Sequence, residues 1–335
     1  MRILFLTPQD TDKPGGRVKR HELENEITKH AECIWAGKGW PLYEEEKTIS
    51  ETVNRIYGEN PPDWVICTKD QQKLDPHRKY KVCEILSDLH GLYKYSIRHP
   101  LGYRDPLSFI EILNNTGYDL YLTRYKHLLN AGVPKDIFYK KLNGKIEWLP
   151  WSIDEAYYRP QKKTIDVTFI GTVSKVYPLR KQIWKKLPEL CEKHGFTYFK
   201  SRRPSRIGFI RSLKEKLFNQ EFIHGKKYAE TLGRTRIFIF GSSIYKYPIQ
   251  KYFEGTASKC LVMADEPAGA QELGFIDNET YVRINKLNWE ERLVSYLTDN
   301  ESETKRISEK GYKLVKDKHT HSTRAEELIK ILEEF

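Results

Sequence analysis

Glu254 lies in the run Ile249–Asp265, close to the small residues Gly255, Ala257 and Ser258 and ahead of the apolar stretch Leu261–Ala264. Small residues let a helix pack closely, and a short apolar stretch reads as a buried strand. Glu254 therefore stands at the front of a helix that leads into a strand, within reach of a ligand. The alternative is a helix N-terminal charge favoured by the macrodipole. Lys246 and Lys251 flank it, and the acidic turn at Asp265 is followed by Gly269-Ala-Gln-Glu272-Leu273. Three more groups follow apolar runs: Gly15-Gly16-Arg17, Asp88-Leu-His90, and Gly171-Thr172 leading through Lys175 to Arg180. A helix N-terminus beside Arg17 offers N–H groups to an anion, or is only a strand-to-helix turn. Asp88 reads as a general base or as a residue that orients the turn, and His90 as a polar contact or a strand cap. The arginine fork of Arg180 suits two phosphate oxygens, the alternative being a solvated surface charge.

These groups need a scaffold, and the hydrophobic pattern supplies one. Ile3–Leu6, Cys33–Ala36, Trp64–Cys67, Val82–Leu86, Leu120–Thr123 and Ile146–Leu149 read as short strands. Helical spacing at Lys19–Lys29 and Ile49–Tyr57 separates the first three. The polar stretch Arg159–Thr164 reads as part of a linker near 155–164, after which the rhythm restarts, with strands at Val167–Ile170, Phe196–Phe199, Ile237–Phe240 and Leu261–Ala264. Helices are expected at 178–194 and 228–232, and through Glu254. Short apolar strands alternating with helices predict α/β architecture with parallel sheets covered on both faces. Ligands of such sheets bind beyond the carboxyl ends of the strands, where the groups above fall.

The chain has 335 residues, 39% of them hydrophobic, enough for two ordinary cores. Its net charge of +11 implies an anionic partner: nucleotide phosphates, an anionic membrane surface or nucleic acid. Five cysteines without C-x-x-C spacing, mostly in apolar runs, read as reduced core residues. No signal-peptide pattern follows Met1-Arg2 and no apolar run approaches 18 residues, so the expectation is a cytoplasmic protein. The segment 200–227 carries Lys200, Arg202, Arg203, Arg206, Arg211, Lys214, Lys216, Lys226 and Lys227, with Ile207, Ile210, Leu213 and Leu217 at helical spacing. A basic amphipathic helix lies peripherally on an anionic membrane, binds a polyanion such as nucleic acid, or docks its apolar stripe on the protein's own core.

As a whole pattern, the Glu254 helix, the following strand and acidic turn, Gly269–Leu273 and a final helix through His319-Thr-His-Ser-Thr-Arg324 resemble the nucleotide-sugar-binding half of GT-B glycosyltransferases. The pattern is similar to that of CgeB-like enzymes and the broad family 4 group (glycosyl transferases group 1). The resemblance implies a GT-B fold of two Rossmann-like domains facing each other across a cleft: an acceptor-side domain at 1–154, a donor domain at 165–302, and C-terminal helices at 303–335 bracing the first. It implies that Glu254 accepts hydrogen bonds from the donor ribose. It also places Arg180, Lys246, Lys251, Gly171, Thr172, Gly269 and Glu272 on the donor, Asp88 and His90 at the transferred sugar, and Gly15, Gly16 and Arg17 on the acceptor or phosphate side. Lys246 falls where family 4 enzymes carry a second glutamate, a departure that bears on sugar recognition. The implied activity is transfer from a nucleotide diphosphate sugar to a glycan, lipid-linked or other hydroxyl acceptor, with retention and without a metal or other cofactor. Two alternatives are a DNA-modifying glycosyltransferase and a non-catalytic nucleotide- or polyanion-binding protein.

Overall fold

The computed structural model describes residues 1–9, 22–44, 48–67, 74, 77–86, 114–125, 143–202 and 222–335. These fall into two units: 1–150 with 321–335, and 151–320.

The first unit is a six-stranded parallel sheet in the order β2-β1-β3-β4-β5-β6. Its strands are β1 (Arg2–Leu6), β2 (Glu32–Trp35), β3 (Trp64–Cys67), β4 (Lys81–Leu86), β5 (Leu120–Thr123) and β6 (Lys145–Trp148). Alternation along β1 sends Leu4 and Leu6 to one face, in a core with Ile49 and Val53 of helix α2 (Ile49–Tyr57). Ile3 and Phe5 face the other way, in a core with Leu23 and Ile27 of α1 (Glu22–Ile27). Both faces are thus covered, as an all-parallel sheet requires. Thr48 and Glu51 form a capping box that fixes the start of α2, the Thr48 Oγ1 accepting from Glu51 N at 3.1 Å.

The second unit is a five-stranded parallel sheet in the order β11-β10-β9-β7-β8. Its strands are β7 (Ile165–Ile170), β8 (Tyr198–Ser201), β9 (Thr235–Ile239), β10 (Leu261–Ala264) and β11 (Val282–Arg283). The chain steps from β7 outward to β8 and then returns to the other side of β7 as β9, so the winding reverses between β7 and β9. Helices α3 (Pro178–His194), α4 (Gly225–Gly233), α5 (Lys251–Ala257), α6 (Trp289–Leu297) and α7 (Glu301–Lys318) complete it. Proline opens α3, where its missing N–H costs nothing, and Gly195 ends it at φ 71°.

Two expectations shift. The stretch 155–164, expected as a linker, is tied to the second unit: Gln161 N donates to Gly233 O at 3.0 Å and Thr164 N to Arg234 O at 2.9 Å. The return to the first unit begins at His321, not at Glu303. Helix α7 buries Thr304, Ile307, Ser308, Gly311 and Val315, and packs on α5 and β10. Helix α8 (His321–Glu334) packs on α1, and the Leu332 carbonyl accepts from Trp64 Nε1 at 3.2 Å. The expected helix through His319–Arg324 is therefore interrupted. His319 Nε2 donates to Leu273 O at 2.9 Å in the second unit, and His321 lies 3.2 Å from Glu22 in the first.

Candidate functional site

The reversal between β7 and β9 marks where an open α/β sheet binds ligands, at the carboxyl ends of those strands. Arg180, in the first turn of α3, spans this point. Its Nε donates to Gly241 O, just beyond β9, at 2.5 Å, and its Nη1 lies 3.4 Å from Thr172 O, just beyond β7. The guanidinium carbon sits 3.8 Å from the centre of the Tyr177 ring. The side chain is only 4% exposed, and burial pushes its pKa down; an arginine nonetheless stays charged. A buried cation held by carbonyl oxygens and a ring face leaves its charge uncompensated by these partners, an electrostatic setting suited to an anion.

Gly171 supplies bare backbone next to it. A Cβ there would lie 3.4 Å from Arg180 Nη1 and 3.6 Å from Lys251 Cε, so both cationic side chains flank this glycine. The Lys251 ammonium stands over the rings of Tyr228 and Phe238 at 5.1 and 5.5 Å. Thr172 is half-buried and Lys175 is exposed.

The loop after β9 is fixed by Asp265, at the end of β10. Its carboxylate accepts from Ser242 N at 2.5 Å, Ser242 Oγ at 2.8 Å and Lys246 Nζ at 2.6 Å. Lys246 adopts φ 56°, a left-handed conformation uncommon for a side chain of this kind. Its carbonyl accepts from Ala268 N at 2.7 Å, which joins the loop to the turn at Gly269, φ 80°. Glu272 is exposed in the same turn.

Glu254 lies in the first turn of α5 and is 8% exposed. Tyr158 Oη donates to its Oε1 at 2.9 Å and Tyr228 Oη to its Oε2 at 2.6 Å. Burial, and then the Glu254 charge, pushes the Tyr228 phenol well above its ordinary pKa, so this hydroxyl keeps its proton and donates. The structure thus brings Gly171, Thr172, Arg180, Lys246, Lys251, Glu254 and Gly269 to the carboxyl edge of the second sheet. Gly15, Gly16, Arg17, Asp88, His90 and most of the basic segment, 203–221, lie outside the described residues. Tyr158, Tyr177 and Tyr228 escaped the sequence reading, since nothing in their local pattern marks them.

Among the described residues no group of three His, Cys, Asp or Glu is placed to hold a metal. None of their helices is long and apolar enough to cross a membrane. Among the described residues no disulfide joins the cysteines, and burial pushes the Cys191 thiol up to about 12.

Residues 180–330 match the family model described as glycosyl transferase-like. Comparison with curated proteins finds no match. Among solved structures, HepE of Anabaena, in complex with UDP and glucose, is similar with a TM-score of 0.63 at 12% identity, over 100% of both chains. Sucrose-phosphate synthase of Thermosynechococcus elongatus gives 0.60 at 14%, over 99% of this chain and 88% of that one. A glycosyltransferase of Rickettsia africae gives 0.58 at 16%, over 99% and 98%. Two parallel Rossmann-like units with these likenesses define the GT-B fold. The likenesses show this fold over the whole chain, and residues 180–330 carry the glycosyl transferase-like family pattern.

Proposed function

We propose that the protein transfers a sugar from a nucleotide diphosphate sugar to a hydroxyl of a glycan or lipid-linked acceptor. The observation that carries this reading is Arg180, buried between the ends of β7 and β9 with a ring and two backbone carbonyls as partners. A diphosphate placed there meets the arginine fork, with Lys251 on the other side of Gly171. Glu254, along the same edge, is the acceptor for ribose hydroxyls, and the first unit takes the acceptor substrate. As charge develops on the leaving diphosphate, fixed cations stabilise it without a divalent ion. Retention of the anomeric configuration belongs to the same reading. The UDP and glucose held by HepE make UDP-sugars the first donors to try.

The test is a thermal-shift screen of UDP, GDP, ADP, CMP and dTDP sugars, followed by product analysis with the stabilising donor. A ligand at 100 times its dissociation constant adds about 2.7 kcal/mol of stability. One base class should raise the melting temperature, and transfer should persist in EDTA. Indifference to every nucleotide would overturn the reading, and transfer abolished by EDTA and restored by a divalent ion would overturn its metal independence.

A further inference from the structure

The two phenols on Glu254 come from distant parts of the second unit. Tyr158 closes the turn that begins at Asp154, whose carbonyl accepts from Tyr158 N at 3.0 Å. Tyr228 sits in the first turn of α4, and its ring meets that of Tyr158 edge-on, 6.4 Å between centroids at 86°. Gly225 opens α4 at φ 58°, close enough to the same turn that a Cβ on it would touch Tyr157 Oη at 3.7 Å. Tyr252 and Phe253, both fully buried, anchor α5 in the core.

A carboxylate offers about four acceptor positions over its two oxygens. The phenols take one on each oxygen, which leaves one on each. Because both oxygens are tethered, the carboxyl plane cannot turn about its own axis, and the two remaining positions point in fixed directions. A pair of adjacent hydroxyls on one rigid ring matches two such positions. A single hydroxyl uses only one.

We propose that Tyr158 and Tyr228 are positioning residues of the donor site: they orient Glu254 so that it selects nucleotides with an intact ribose 2′,3′-diol over 2′-deoxynucleotides. This rests on the reading of Glu254 as the ribose acceptor. The Lys251 ammonium over the Tyr228 ring draws density from the phenol and strengthens its donation to the carboxylate.

The experiment is calorimetric titration of the full chain with UDP and 2′-deoxy-UDP, and with the corresponding GDP and ADP pairs. The wild type should favour the ribonucleotide of one pair by tenfold or more. Tyr228→Phe and Tyr158→Phe, which keep the rings and remove only the hydroxyls, should each lower that preference at least threefold. Affinity for the deoxynucleotide should stay within twofold. Preference unchanged in both variants, with the melting temperature lowered, would make the phenols merely structural and overturn the proposal. Tighter ribonucleotide binding by the Phe variants would show the phenols competing with ribose, and would overturn it too. Glu254→Gln separates the two readings. If it abolishes the preference while the Phe variants keep it, the positioning role alone falls. If it leaves the preference intact, or if the wild type has none, the ribose role of Glu254 falls and the positioning role with it.

Discussion

At the scale of single residues, the carboxyl edge of the second sheet is built from charges with unequal partners. Arg180 is the extreme case, because replacing it by lysine keeps a charge but removes the planar fork and its stacking on Tyr177. Arg180→Lys should weaken binding of the cognate nucleoside diphosphate by about tenfold or more in calorimetry, close to 1.4 kcal/mol. An unchanged affinity would take Arg180 out of the site. Glu254→Gln is not a silent change either. The amide must turn its NH2 toward one of the two phenols, so besides a loss of about 1–3 kcal/mol in donor binding it should lower folding stability by about 1–2 kcal/mol. Denaturant melts of the variant without ligand check the second figure, and wild-type stability would mean that the phenols do not hold this carboxylate.

At the scale of elements, most strands were legible in the sequence because each is a short apolar run between turns; ten of them were anticipated to within two residues. Two-residue β11 carries too little pattern to see. The break between α7 and α8 was hidden for another reason: both helices are amphipathic, and the interruption at His319 and Thr320 is set by contacts far along the chain, such as the bridge from Thr320 to Ile153. The same distinction runs through the site. Arg180 and Glu254 follow strands and could be found from position, whereas Tyr158 reaches Glu254 from 96 residues away. Two elements make testable demands. In α7, alanine at Gly311 gains up to about 1 kcal/mol of helix propensity, but its Cβ would lie 2.5 Å from the backbone carbonyl oxygen of Thr280, which cannot swing aside. Overpacking of this kind costs about 1–3 kcal/mol, so Gly311→Ala should lower stability in urea titration. In β4, burial pushes the Glu84 carboxyl up to about 7, with Cys67 and Tyr121 as its neighbours across the sheet. A carboxyl raised in the folded state favours its neutral form. Stability is therefore full below the unfolded value near 4.5 and falls as pH rises through about 7. Glu84→Gln should flatten this decline by about 1–3 kcal/mol between pH 5 and pH 8. Parallel stability curves for variant and wild type would show that Glu84 is not desolvated.

At the scale of the molecule, the charge asks for more than one nucleotide. The chain carries 57 lysines and arginines against 46 aspartates and glutamates. Among the described residues many of the basic groups are neutralised locally, as Arg236 is by Asp166 at 2.9 Å and Lys186 by Glu290 at 2.6 Å. Surface pairs of this kind contribute little stability, but they remove local excess charge. The sequence concentrates basic residues in 200–227, where Lys200 and Arg202 already meet on the Trp184 ring at 4.6 and 5.1 Å. An acceptor carried by an anionic lipid would be gathered by such a segment through long-range attraction, which is screened over about 10 Å at 0.1 M salt. Vesicles containing anionic lipid should therefore co-sediment with the protein at low salt and release it at about 0.5 M, where the screening length is roughly halved. Reversing Arg202, Arg203, Arg206 and Arg211 to glutamate should abolish co-sedimentation. It should leave the nucleotide-induced thermal shift unchanged, because Arg180 and Glu254 take their contacts from the carboxyl edge of the second sheet. Wild-type protein that ignores anionic vesicles at low salt would end the membrane reading, and loss of the thermal shift in the reversed variant would tie the basic segment to the donor instead.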